Sequence, residues 1–89
     1  MPQVVFTQHI QRHVPCPPST VAGDTVREIL DTVFIQTPQA KSYILDDQGI
    51  LRKHIVIFVK GRPIKDRNDL SDPVAHDEEI YIMQALSGG

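Results

Sequence analysis

The chain has 89 residues, which is room for one compact domain and not two, because domains of ordinary size need at least about fifty residues each. Hydrophobic residues make up 40% and charged residues 22% of it, with no low-complexity tract, which excludes a disordered chain and predicts a domain that folds unaided. Nine Lys and Arg against eleven Asp and Glu give a formal net charge of -2, so the basic footprint of a nucleic-acid binder is missing and no nucleic-acid partner is expected.

Val4-Val5-Phe6 followed by Thr7 is a β-branched and aromatic cluster and predicts a first strand near the N-terminus. Pro15, Pro17 and Pro18 then exclude a helix in the next stretch and suit a turn into an edge strand, Ser19-Thr20-Val21-Ala22, closed by Gly23. The two strands read as a hairpin with a long connection. His9 and His13 stand four apart, a spacing that joins imidazoles on a helix and, with Cys16, raises the question of a metal site. With a helix excluded by the prolines and no cysteine pair or acidic cluster nearby, these residues are expected to be solvated loop groups, and no metal or other cofactor is expected. Cys16 is the single cysteine and closes no intrachain disulfide, which fits a reducing compartment. No third group or oxyanion feature stands beside Cys16 and His13, so an inert or surface thiol is expected rather than a nucleophile.

Thr25-Val26-Arg27-Glu28 has the form of a capping box, and a helix is predicted to start there. Val26, Ile29, Leu30, Val33 and Phe34 share one stripe while Arg27, Glu28, Asp31 and Thr32 fall mostly on the other side, so this helix covers a sheet. Pro38 limits its end, and Ala40 to Leu45 allow one short helical turn. Asp46-Asp47-Gln48-Gly49 reads as a plain turn, because it lacks the alternating carboxylates and distal glutamate of a calcium loop.

His54 to Val59 is short and apolar on both parities, which predicts a central strand. Its Ile55 to Val59 core is the longest aliphatic or aromatic run in the chain and is far too short to span a bilayer. No basic-then-apolar leader opens the sequence, so a cytoplasmic protein with no membrane partner is expected. Lys60-Gly61-Arg62-Pro63 turns the chain, Ile64 ends a short returning segment, and Leu70 and Val74 anchor a polar loop. Ile80 to Leu86 forms the last strand, ahead of Ser87-Gly88-Gly89. Arg52, Lys53, Lys60, Arg62, Lys65 and Arg67 gather six of the nine basic residues in one stretch, which reads equally as a patch for an acidic partner and as a solvated turn region. His54 and His76 are scattered and read as structural or exposed.

Strand parity sharpens the reading. If Ile55, Ile57 and Val59 face the helix together with Ile80 and Ile82, then Val56, Phe58, Tyr81 and Met83 face the other way. On a single-layer sheet these four make an uncovered apolar patch beside the strand that ends in the glycines, and such patches on small domains serve as docking surfaces.

The order of elements is strand, strand, helix, strand, short connection, strand, diglycine. In this order, and in Gly23-Asp24-Thr25-Val26-Arg27-Glu28-Ile29-Leu30, His54 to Gly61 and Asp77-Glu78-Glu79-Ile80-Tyr81-Ile82 leading to Ser87-Gly88-Gly89, the sequence resembles the ubiquitin-like sulfur carriers of the MoaD and ThiS family over nearly its whole length. The resemblance implies an α+β, ubiquitin-like β-grasp fold: a mixed four- to five-stranded sheet packed on one main helix, spanning residues 1–86, with 87–89 as a flexible diglycine tail. Met83-Gln84-Ala85-Leu86-Ser87 does not identify a subfamily, so the pathway stays open.

The resemblance further implies a protein that is not an enzyme and whose reactive group is the carboxylate of Gly89. A ubiquitin-activating-like adenylyltransferase would adenylate it, a sulfur donor would displace AMP to leave a thiocarboxylate, and a downstream sulfur-accepting enzyme would take the sulfur. Glycine at positions 88 and 89 suits the first step physically, because a chain without Cβ atoms threads a narrow channel that other residues would block. At a background glycine frequency of roughly 7%, a specified adjacent pair arises by chance at about one position in two hundred, so an incidental chain end explains it poorly. Two other readings share the diglycine: a ubiquitin-like modifier joined to lysines of target proteins, and the small subunit of a molybdopterin-synthase-type complex. A structural ubiquitin-like interaction module would carry the same fold and leave the glycines unused.

Overall fold

The computed structural model describes residues 1–85. In chain order they form β1 (Gln3–Phe6), α1 (Gln8–His13), β2 (Ser19–Thr20), α2 (Val26–Gln36), α3 (Pro38–Ile44), β3 (Ile55–Val59), β4 (Arg62–Pro63) and β5 (Glu79–Gln84). The strands make one mixed five-stranded sheet in the order β2-β1-β5-β3-β4. β1 runs parallel to β5, and every other neighbouring pair is antiparallel.

Alternation along the strands sets the core. Val4 and Phe6 of β1, Ile55 and Ile57 of β3, and Ile80 and Ile82 of β5 are buried, and they join the apolar stripe of α2 (Val26, Ile29, Leu30, Val33, Phe34) in one cluster. The cap of α2 forms as the sequence predicts, with Thr25 Oγ1 accepting from the Glu28 N–H at 3.3 Å. The Glu28 carboxylate reaches one residue further back than a standard box, accepting from the Asp24 N–H at 2.8 Å. Just before the cap, a Cβ on Gly23 would stand 2.6 Å from the Ile29 side chain, so only glycine lets the chain pass this close to α2.

Two local expectations about helices need correction. A helix does form before the prolines, at Gln8–His13. Proline is excluded from a helix interior and disfavours helix at the residue before it, and the structure obeys this: Val14 is extended at φ -138 and ψ 114, directly before Pro15. The six residues upstream are free to coil, and burial of Ile10 anchors them. Pro38 likewise starts a helix rather than only ending one, occupying the first turn of a seven-residue α3 where its missing N–H costs no hydrogen bond. β3 is an interior strand as expected, flanked by β5 and β4, and the parallel pairing of β1 with β5 places the last strand at the middle of the five.

β2 is shorter than predicted, two residues instead of four, and β5 ends at Gln84. β4 pairs with only the last two residues of β3, so the remaining carbonyls on that edge find other donors. Ile57 C=O accepts from the Ile64 N–H at 3.0 Å, and Ile55 C=O accepts from the Arg67 guanidinium at 2.8 Å. The result is an α+β β-grasp arrangement: a mixed sheet with its helical elements contributing to a single core.

Candidate functional site

The sheet face turned away from the core carries the candidate site. Val56 and Phe58 of β3 are half-buried, while Tyr81 and Met83 of β5 are exposed at 43% and 37%. The register pairs Val56 directly with Met83 and Phe58 directly with Tyr81, so the four side chains form a two-by-two cluster. The row through Phe58 and Tyr81 extends across four strands. Val5 of β1 is the partner of Tyr81, and Pro63 of β4 is the partner of Phe58.

Neither Val5 nor Pro63 is visible as a site residue from sequence, since membership depends on pairing between strands far apart in the chain. The signal that could have found Val5 is its parity, opposite to Val4 and Phe6. Pro63 carries no such signal.

Electrostatics bound the cluster at one end. Tyr81 shares its face with Glu79, two residues earlier, and a hydrogen bond to the Glu79 carboxylate, with its negative charge, raises the Tyr81 pKa above the ordinary phenol value. The apolar strip therefore begins beside an acidic group and runs along β5 through Tyr81 and Met83 in the direction of the C-terminus. Gly88 and Gly89 lie outside the described residues.

The remaining candidates disperse. His9 and His13 meet on α1 with ring centroids 5.5 Å apart, as helical spacing dictates. Among the described residues, however, no three His, Cys, Asp or Glu side chains come together as a metal-binding group. Cys16 is buried rather than on the surface, because its segment packs its side chain into the common core. Its Sγ donates to Val14 C=O at 3.1 Å, and burial pushes the thiol pKa up to about 11, far from the range of a reactive thiolate.

The six basic residues do not act as one patch. Arg67 donates to Arg52 C=O and Ile55 C=O, both at 2.8 Å, and Arg52 donates to Ser42 C=O at 2.9 Å, so these two guanidinium groups are spent on the backbone. Lys60, Arg62 and Lys65 stay exposed around the β3–β4 turn. The Asp46 turn is a plain turn: its Oδ1 accepts from the Gln48 and Ile50 N–H groups, and Gly49 takes φ +79. Asp66 works similarly. Hydrogen bonds from the Ser71 hydroxyl and from the Asp69, Ser71 and Asn68 N–H groups hold its carboxyl below the usual range, and they support the loop that drives Leu70 into the core at φ 57.

No family model and no curated protein sequence matches the chain. Solved structures do match it along its whole length, as ubiquitin-like β-grasp proteins. A chain of the BexX/CysO complex from Amycolatopsis orientalis is 21% identical with a TM-score of 0.82, the alignment covering 100% of both chains. SAMP1 from Haloferax volcanii is 24% identical with a TM-score of 0.77, covering 99% of this chain and 98% of that one. Small archaeal modifier protein 1 from Methanosarcina acetivorans is 22% identical with a TM-score of 0.81, covering 99% and 95%. At these identities the likeness is one of fold, and it agrees with the fold of the MoaD and ThiS type that the sequence resembles. Among the described residues no helix is long and apolar enough to cross a membrane.

Proposed function

We propose that this chain is a cytoplasmic ubiquitin-like sulfur carrier and not itself an enzyme. In this reading an adenylyltransferase of the ubiquitin-activating kind docks on Val56, Phe58, Tyr81 and Met83. It directs the Gly89 carboxylate onto the α-phosphorus of ATP, with release of pyrophosphate. Sulfur delivered by a donor at the oxidation level of sulfide then attacks the acyl carbon, AMP leaves, and the resulting thiocarboxylate passes its sulfur to an accepting enzyme. Gly88 and Gly89 supply a segment without side chains for the approach to ATP.

The observation that carries the reading is the placement of the apolar cluster on β5, the strand from which the chain continues into Gly88-Gly89. Docking and chemistry are thus served by one continuous segment.

The decisive measurement is the intact mass of the protein isolated from its own host under mild reducing conditions. Replacement of one oxygen by sulfur in a fraction of the molecules is expected. A population made only of the unmodified chain, while the adenylyltransferase and sulfur donor are active in the cell, would count against the carrier.

A second reading is favoured by the likeness to small archaeal modifier protein 1: conjugation of the Gly89 carboxyl to lysines of other proteins. Isopeptide-linked Gly-Gly remnants on target lysines after proteolysis would establish it. In the related arrangement of a molybdopterin-synthase-type small subunit, the chain would instead co-purify with a large subunit.

A further inference from the structure

Gln84, the last residue of β5, and Ala85 after it are each held by another part of the fold. Gln84 Oε1 accepts from the Tyr43 hydroxyl of α3, the one long-range hydrogen bond between two side chains among the described residues. The Tyr43 ring is stacked on His13 of α1, centroids 5.7 Å apart at 19°, and meets the edge of His54 at 6.1 Å and 89°. His54, just ahead of β3, closes the ring of contacts by accepting the Ala85 N–H on its carbonyl at 2.8 Å. His13 and His54 are exposed and Tyr43 is half-buried, so the assembly lies on the surface and adds little to the core.

Its position gives it leverage. Four residues follow Ala85, and a segment of that length reaches at most about 14 Å. Drawn out straight in a partner's channel, such a segment would move its far end by about 5 Å for a change of about 20° in direction at its root, while reacting groups must be placed to within about 1 Å.

We propose that Tyr43 and Gln84, braced by His13 and His54, are positioning residues that fix where and in which direction the C-terminal segment leaves the sheet. The proposal rests on the sulfur-carrier reading. It assigns this clamp to the rate of adenylation and leaves docking to the opposite sheet face.

The test uses the full chain with Tyr43→Phe, Gln84→Ala and the double substitution. Tyr43→Phe keeps both ring contacts and removes only the hydroxyl. In the isolated protein, loss of one hydrogen bond is expected to speed amide exchange at Ala85 about threefold to tenfold and to lower the melting temperature by no more than about 8 °C, leaving the protein fully folded at assay temperature. In pyrophosphate exchange with an adenylyltransferase from the same genome, kcat is expected to fall by at least that factor while KM for the carrier stays within about twofold. The double variant is expected to be no worse than the worse single one, because both substitutions break one bond.

Unchanged exchange at Ala85 overturns the clamp itself. A KM that rises in step with the fall in kcat, or losses that multiply in the double variant, overturns its positioning role. A wild-type chain that is not adenylated, with faster Ala85 exchange in Tyr43→Phe, rejects the carrier reading and the kinetic role with it.

Discussion

Phe58 on β3 and Tyr81 on β5 are direct cross-strand partners, and both side chains stand on the sheet face turned away from the core. One position earlier, Ile57 pairs with Ile82, and both of these are fully buried. A single step along two strands thus separates residues that hold the domain together from residues on its outer face.

Exchanging side chains across that step is expected to give opposite phenotypes. Ile57→Ala empties a core site and should cost about 2–5 kcal/mol, whereas Phe58→Ala, half-covered by its neighbours, should cost about 1 kcal/mol. Phe58→Ala and Met83→Ala should each weaken binding to the adenylyltransferase, about thirtyfold if the residue is an anchor contributing about 2 kcal/mol. Urea unfolding and calorimetric titration read the two effects separately. Equal destabilisation by Phe58→Ala and Ile57→Ala, or unaltered binding by Phe58→Ala, would remove the docking surface.

Cys16 is expected to be inert in the native protein. Burial raises its pKa from 9.0 to about 11, so at pH 8 the thiolate is about a hundredfold scarcer than in the unfolded chain. Iodoacetamide should label it slowly at pH 8 and rapidly once urea is added. Because the folded state keeps its proton longer, this group's contribution to stability is fully present below pH 9 and is lost as the pH rises toward about 11. Equal labelling rates with and without urea would show that the thiol is accessible.

The sequence made the core and the outer face legible because period-two and period-3.6 patterns are local: Ile55, Ile57, Ile80 and Ile82 announce their side of the sheet within their own strands. Strand order and the reach of the outer row were not legible, since the partners of Tyr81 are residues Val5 and Phe58, far away in the chain. The short α1 was hidden by the prolines that follow it. Its stability comes from burying Ile10 in a core built by other segments, which no window of local sequence displays. For the same reason the meeting of His13, Tyr43 and His54 could not be read, as it joins three elements only after folding.

Arg67 is expected to be structural in spite of its place in a basic stretch. Its guanidinium satisfies the Ile55 carbonyl on the edge of β3 that β4 leaves uncovered and the Arg52 carbonyl in the segment before that strand. Lysine carries the same charge on a compact head without the planar array of donors, so Arg67→Lys should cost about 1–2 kcal/mol and lower the melting temperature by about 5–10 °C. Lys53→Ala, on an exposed side chain nearby, should change stability by less than about 0.5 kcal/mol. Thermal melts of the two variants side by side distinguish a role for the fork from a general effect of charge; equal melting temperatures would assign Arg67 to the solvated surface.

The C-terminal glycines are expected to matter for chemistry and not for folding. Among the described residues the buried core reaches along β5 as far as Ile82, and changes beyond Leu86 are expected to leave the melting temperature where it is. Deleting Gly89 removes the length needed to reach ATP, and adding an alanine after it puts the reactive carboxylate on a residue with a Cβ, displaced by about 3.5 Å. Either change should abolish pyrophosphate exchange with the adenylyltransferase while binding through Phe58 and Met83 survives. Gly88→Val keeps the length and adds only bulk, so loss of exchange in that variant would trace the requirement to the width of the partner's channel rather than to reach. Normal exchange by the Gly89 deletion would mean that the terminal carboxylate is not the activated group, and the carrier reading would fall even with the docking face intact.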